Sequence, residues 1–215
     1  MMSLFDHAHH SSCRFDMTSD FENRLQESLC RTNPFIEEGQ FDLLHFVSTS
    51  CLEHGVAEGV NSLTELFDAL ETKYFPKQSC VVLKEMLTMV NVKNEHVKHL
   101  PPVDKDEAFN TGSSTSSTFP DFSFQKMVIK VIKELGDDWQ LLSSQCTDAE
   151  RGTATGNIHS APQLFMCLLK MNTISQERKD KSYEFLASKL VDIGRTDIAE
   201  CIQPRSTSGQ YWNGT

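Results

Sequence analysis

Long hydrophobic runs are missing from this 215-residue sequence. No apolar stretch approaches the roughly 18 residues that a helix needs to cross a bilayer. Residues 1–16 contain three histidines and two aspartates, and they lack the apolar core of a secretory signal. We therefore expect neither membrane insertion nor secretion, and we expect the protein to work in the cytoplasm.

An excess of positive charge is also missing. The chain has 20 Lys and Arg against 30 Asp and Glu, a formal net charge of −10. Nucleic acids and anionic lipid surfaces are bound by clustered cations, so neither is an expected partner. Residues 18–100 hold 7 basic and 13 acidic side chains, a net charge of −6, which favours a basic partner surface for this half.

Cysteines at the spacing of a disulfide framework or a zinc site are absent. The seven cysteines are odd in number, never form C-x-x-C, and lie at positions 13, 30, 51, 80, 146, 167 and 201. Reduced thiols in a cytosolic protein are the simpler interpretation. His7, His9 and His10 beside Asp6 could ligate a metal, but nothing nearby completes the coordination sphere. No metal and no cofactor are expected.

The motifs of common enzyme classes are absent as well. The sequence has no G-x-S-x-G, no H-E-x-x-H, no P-loop and no G-x-G-x-x-G. The run GTATG at 152–156 is too short to cradle a phosphate. Cys167, within the apolar run LFMCLL, is interpreted as a small core residue. We therefore predict no catalytic residue.

One stretch of low complexity divides the chain. Residues 110–120 read NTGSSTSSTFP, which cannot build a core. Shortly before it, two consecutive prolines follow Leu100 and should stop a helix. We predict a flexible linker over residues 101–120. The predicted domains and tails are domains at 18–100 and 121–203, a disordered N-terminal tail at 1–17 and a flexible C-terminal tail at 204–215.

Both halves carry apolar residues at helical spacing. The clearest stripe consists of Phe124, Met127, Val128, Val131, Ile132 and Leu135. Similar stripes occupy residues 63–70, 82–90 and 183–193, and strand-like alternation is absent. Asn61 or Ser62 is a candidate helix cap, and Gly136 and Gly194 are candidate helix ends. The predicted fold class is all-α, with two antiparallel six-helix bundles joined by a flexible Ser/Thr-rich linker.

The second half resembles a death domain. Residues 135–142 (LGDDWQLL) are similar to the junction of its first two helices, where Trp follows Gly by three and precedes Leu by three. Residues 163–171 (QLFMCLLKM) resemble its helix 4, and residues 183–202 (YEFLASKLVDIGRTDIAECI) resemble helices 5 and 6. The chain departs from the family at 147–160, where Thr and Gly predominate, and at Met171, where many death domains have Trp.

The first half is similar to a death-effector domain. Residues 41–47 (FDLLHFV) resemble its helix 2, residues 62–70 (SLTELFDAL) its helix 4 and residues 80–90 (CVVLKEMLTMV) its helix 5. Such domains usually carry Arg-x-Asp-Leu in helix 6. Here residues 97–101 read VKHLP, so Lys98 stands for the Arg and the Asp is missing.

An effector domain, a linker and a death domain in that order are the layout of death-fold signalling adaptors. The resemblance implies recruitment of an initiator caspase by the first domain and binding of an upstream death-domain receptor or adaptor by the second. It also implies self-association, and an output in apoptosis or innate immunity. The missing Arg-x-Asp-Leu leaves open a regulatory or inhibitory scaffold that recruits no caspase. A helical scaffold outside the death fold, or an enzyme with an unfamiliar motif, is a further alternative.

The candidate binding residues of the first domain follow from the same resemblance. The effector-domain family has an exposed Phe on helix 2, and Phe46 takes that position by spacing. His45 and Lys98 complete the candidate surface. The alternative is that Phe46 belongs to the core, because Leu43, Leu44 and Val47 compete for the same helix face.

The candidate binding residues of the second domain are charged. They are Lys126, Lys130 and Lys133 on the long amphipathic helix, and Asp137, Asp138 and Arg151 around the next one. Helices 1 and 2 contribute to assembly in the death-domain family, although a solvated face is the ordinary role of such charges. Trp139 is expected to be a core residue.

Overall fold

The computed structural model describes residues 12–109, 118–152 and 158–202, and the chain divides into two compact units after Asp121. All regular structure in these ranges is helical, which confirms the all-α prediction. No helix in the described part of the chain is both long and apolar enough to cross a membrane. The expected linker residues 110–117 and the expected tail residues 204–215 lie outside the described ranges.

The first unit begins with a long helix and continues through shorter ones. Its helices are α1 (Ser12–Thr32), α2 (Glu38–Ser48), α3 (His54–Gly59), α4 (Leu63–Glu71), α5 (Pro76–Met89), α6 (Asn94–Val97) and α7 (Lys105–Phe109). Because α1 starts at Ser12, the predicted tail boundary after residue 17 is wrong. No Gly or Pro interrupts residues 12–32, so the helix continues beyond its apolar stripe.

The core of the first unit is formed by apolar side chains from α1, α2, α4 and α5. Phe46 and Phe67 are fully buried, and they are joined by leucines such as Leu44, Leu66 and Leu83. Each buried side chain of this size contributes about 1.5–3 kcal/mol relative to its exposed state. The stripes at 63–70 and 82–90 therefore face inward as their spacing predicts.

Polar side chains connect distant helices of the first unit. Of the two candidate caps, Ser62 caps α4 by accepting from the Glu65 N–H. Asn33, in the 3-10 turn after α1, accepts from the Leu63 N–H at 2.9 Å. Gln40 on α2 donates to the carbonyl oxygen of Asn91, after α5, at 3.2 Å. These hydrogen bonds connect helices that are distant in sequence and add to the positioning that the apolar core provides.

Residues 101–109 belong to the first unit and not to a linker, which corrects the predicted boundary at residue 100. The Gln78 side chain on α5 is buried and donates to the Ala108 carbonyl oxygen at 3.0 Å. Lys77 pairs with Glu107 at 2.8 Å. α6 ends at Val97, before Pro101 and Pro102, and after the prolines α7 packs on α5. The first unit therefore differs from the expected six-helix bundle by this additional helix.

The second unit contains α8 (Ser123–Leu135), α9 (Trp139–Gln145), α10 (Asp148–Arg151), α11 (Ala161–Lys170), α12 (Lys179–Asp192) and α13 (Thr196–Ile202). Phe124 and Phe165 are fully buried at its centre. Gly136 and Gly194 adopt φ of +52° and +81° where α8 and α12 end, as their positions predict. α10 has four residues, and residues 153–157 of the Thr/Gly-rich segment lie outside the described ranges.

We predict that Ala108→Glu detaches α7 from α5. Ala108 is 6% exposed, so a glutamate there must either bury its charge or displace the helix. The expected cost is about 1–3 kcal/mol. Hydrogen exchange of the α5 amides measures the change. Asp106→Glu on the exposed side of α7 is the control. Unchanged exchange in Ala108→Glu would contradict the packing of α7.

Candidate protein-binding surfaces

Phe46 is not part of an exposed patch. Its side chain is 0% exposed, and its neighbours Val47 and Ser48 are buried as well. The expectation of an exposed Phe46 is therefore wrong, and the alternative of a core residue is correct. The reason is that α2 turns the face containing Leu44 and Val47 inward, and Phe46 lies at the edge of that face.

His45 has a structural role in the first unit. Its Nε2 lies 2.7 Å from the carbonyl oxygen of Val60, so that nitrogen carries the donated proton. The ring also meets Phe41 edge-on, with centroids 5.5 Å apart. His45 thus joins α2 to the end of α3. Lys98 is exposed at the end of α6, so it is accessible as predicted.

An exposed aromatic residue that sequence reasoning missed lies on another part of the first unit. Phe35 is 52% exposed and stacks on His96, with ring centroids 3.9 Å apart and planes 8° from parallel. The backbone under the stack is held by Thr32, whose hydroxyl donates to the His96 carbonyl oxygen at 3.2 Å. We call Phe35 and His96 the Phe35 surface. It presents a preordered aromatic ring to solvent.

The three lysines of α8 are exposed, as expected for the polar side of an amphipathic helix. Lys130 lies 3.7 Å from Glu134, one turn further along. Lys126 and Lys133 lie on the same side of α8 as Lys130 by helical spacing. The structure therefore brings these residues together on one face.

Asp138 is used inside the second unit. Its carboxylate accepts from Arg195 at 2.8 Å, and Arg195 also binds Asp197 and the carbonyl oxygen of Glu134. The hydrogen bond from Arg195 lowers the pKa of the Asp197 carboxyl. Arg195 therefore holds the end of α8, the start of α9 and the start of α13 together. Asp137 beside it is exposed.

Arg151 is also used inside the unit. It donates to the Ser143 carbonyl oxygen at 2.9 Å and pairs with Asp148 at 3.2 Å, which connects α10 to α9. Its side chain is only 21% exposed, so little of it is accessible to a binding partner. The same small helix is held by Glu150, which binds Lys189 of α12 at 3.2 Å.

Leu141 is the exposed apolar residue of this region. It is 53% exposed and lies three residues after Asp138 and four before Gln145, on one side of α9. Asp138 binds Arg195, and the Gln145 carbonyl oxygen accepts from Lys189 at 2.8 Å. We call Asp138, Leu141 and Arg195 the α9 surface. An exposed apolar side chain beside a charge pair is typical of protein-binding sites.

Trp139 was predicted to be a core residue, but its side chain is only half-buried. It is the first residue of α9, and the fully buried residue of that helix is Leu142. The short α9 buries one side only, and Trp139 lies at the margin of that side.

Buried thiols are protonated in both units. Burial raises the pKa of Cys51 and Cys146, and it raises the pKa of Cys80 to about 11. These thiols are not activated nucleophiles at neutral pH. No group of three or more His, Cys, Asp or Glu in the described residues could hold a metal ion. His7, His9 and His10 lie outside those residues.

No protein-family model matches the sequence, and no similar curated protein or solved structure is found. Arg195 and Leu141 were missed because their roles depend on which helices meet. The available signal was Leu141 itself, an apolar residue directly beside the inward-facing Leu142.

We predict that Glu150→Gln destabilises the second unit only when Glu150 is ionised. Partial burial opposes ionisation, but hydrogen bonds from Thr147 and Lys189 hold the pKa of Glu150 below its ordinary value of 4.5. The ion pair therefore stabilises above about pH 4.5, and this contribution is lost as the pH falls through the lowered pKa.

Gln keeps the capping hydrogen bond to the Thr147 N–H, so the variant removes charge alone. We expect a loss of about 0.5–1 kcal/mol in the free energy of unfolding at pH 7 and almost none at pH 3. Urea unfolding at both pH values measures this, with exposed Glu184→Gln as the control. An equal loss at both pH values would contradict the ion-pair account.

Proposed function

We propose that this chain is a cytoplasmic signalling adaptor of the death-fold type, which connects two other proteins through two helical units. The second unit binds the death domain of an upstream receptor or adaptor, and the first binds the effector domain of an initiator caspase. Binding of both would bring caspase precursors together by tethering, with an output in apoptosis or innate immunity. Self-association of adaptors would add to this clustering.

The observation that carries the proposal is the α9 surface. Leu141 is half-exposed on a helix that Arg195 and Lys189 hold in place from α12 and the start of α13. A rigidly held apolar residue loses little conformational entropy on binding, so a partner gains most of its burial energy. The exposed α8 lysines offer further contacts to an acidic partner. The resemblance of residues 135–142 to the corresponding junction in death domains supplies the kind of partner.

The first unit supports a second candidate function, a regulatory or inhibitory death-fold scaffold that recruits no caspase. Phe46 is fully buried, so the exposed helix-2 Phe of the effector-domain family has no counterpart at that position. Lys98 replaces the Arg of the helix-6 motif, and its Asp is missing. Two exposed aromatic residues in the described part of this unit are Phe35, 52% exposed, and Phe75, 60% exposed.

Affinity capture with the full chain separates these functions. The intact protein is immobilised, exposed to lysate of the source organism and analysed by mass spectrometry. Capture of both a death-domain protein and a caspase precursor supports the adaptor. Capture of the death-domain protein alone supports the inhibitory scaffold. Capture of neither contradicts both proposals.

We predict that Leu141→Asp removes the death-domain partner and leaves capture by the first unit unchanged. A carboxylate at an apolar contact must be desolvated on binding, so the amount of captured death-domain partner should fall at least about tenfold. Val191→Asp is the matched control because Val191 is 50% exposed and lies on the side of α12 opposite Lys189. Equal losses in both variants, or none in Leu141→Asp, would exclude the α9 surface. Circular dichroism checks that each variant is helical.

A further inference from the structure

A close contact joins two loops of the second unit. Gly152, directly after α10, is buried and has φ of +78°. An ideal Cβ built on it would lie 3.0 Å from Sδ and 3.3 Å from Cγ of Met171, at the end of α11. Glycine is therefore required at this position for two reasons: its backbone conformation, and the space that the thioether of Met171 occupies. Met171 covers the end of α10.

The same methionine is open to solvent. Met171 is 45% exposed, whereas Met86, Met89 and Met166 are 9% exposed or less. Met127 is half-buried. Among the methionines whose side chains the structure describes, Met171 is thus the one that combines high exposure with close packing on a buried backbone.

We propose that Met171 is an oxidation site whose modification by hydroperoxides loosens α10 from α11. The thioether sulfur attacks the terminal oxygen of the peroxide and the O–O bond breaks. With hydrogen peroxide, the oxygen that is not transferred takes up the proton of the transferred hydroxyl group and leaves as water, and the sulfur keeps one oxygen as a sulfoxide. The reaction converts a flexible apolar side chain into a polar one. This inference is independent of the proposed adaptor function.

The geometry determines what the modification changes. A sulfoxide oxygen accepts hydrogen bonds, and Gly152 presents backbone without a side-chain donor against the sulfur, so the modified side chain turns to water. Gly152 then loses its cover. α10 is still held by Thr173, whose hydroxyl donates to the Glu150 carbonyl oxygen at 2.6 Å, and by the Lys189–Glu150 pair. The change is therefore local and reversible, and it lies in the helix that carries Arg151.

The test uses the full chain and hydrogen peroxide. Peptide mass spectrometry follows oxidation of each methionine, and hydrogen exchange follows the amides of residues 148–152. We expect Met171 to be oxidised several-fold faster than Met127 and Met166. Exchange at 148–152 should rise in step with it and return after treatment with methionine sulfoxide reductases. Met171→Leu should abolish the rise, and Met127→Leu is the matched control.

Three results would overturn the proposal. The first is oxidation of Met127 or Met166 before Met171. The second is full oxidation of Met171 with unchanged exchange at 148–152. The third is a rise in exchange that persists in Met171→Leu, since that variant has no sulfur at the position.

Discussion

The short helices of this protein depend on polar side chains that reach the backbone of another helix. Isolated helices below about 12–15 residues are marginal in water. α9 has 7 residues and α10 has 4, so neither holds its own shape. Arg195 donates to the Glu134 carbonyl oxygen, and Lys189 donates to that of Gln145. The apolar core gathers the helices, and these bonds set where each one begins and ends.

This dependence explains which residues are available for binding. Asp138 and Arg151 are charged and were expected to meet partners, yet both satisfy groups within the second unit. The accessible features are instead exposed apolar side chains such as Leu141, Phe35 and Phe75. Because Asp138 is already paired with Arg195, these side chains need little rearrangement when a partner binds beside them. The candidate binding residues are therefore exposed apolar residues and not the charged residues that pair within the unit.

Helical spacing was sufficient to predict the fold class and much of the core. Five of the six stripe residues from Phe124 to Leu135 are buried and Met127 is half-buried, because the apolar positions agree on one side of α8. The same reasoning failed for Phe46, because α2 has apolar residues at successive positions and spacing alone cannot select the inward face. It also failed for α7, since the two prolines correctly indicate a helix end but do not indicate that the chain forms another helix after them.

The candidate sites were harder to predict for a related reason. Arg195 lies 57 residues from Asp138, and nothing local to either residue indicates their contact. The exposure of Leu141 depends on how little of α9 is covered by its neighbours. Met171 was noticeable only as a departure from the death-domain pattern, whereas its contact with Gly152 required the fold. Local chemistry is visible in one sequence, but long-range pairing is not.

The most direct test of this account is hydroxyl-radical footprinting of the full chain in its native state, read residue by residue by mass spectrometry. The account predicts rapid modification of Leu141 and Phe35 and strong protection of Phe46, Phe67 and Phe165. Protection of Leu141 together with rapid modification of Phe46 would contradict it. That result would place the binding surface on α2, where the resemblance to effector domains first suggested it.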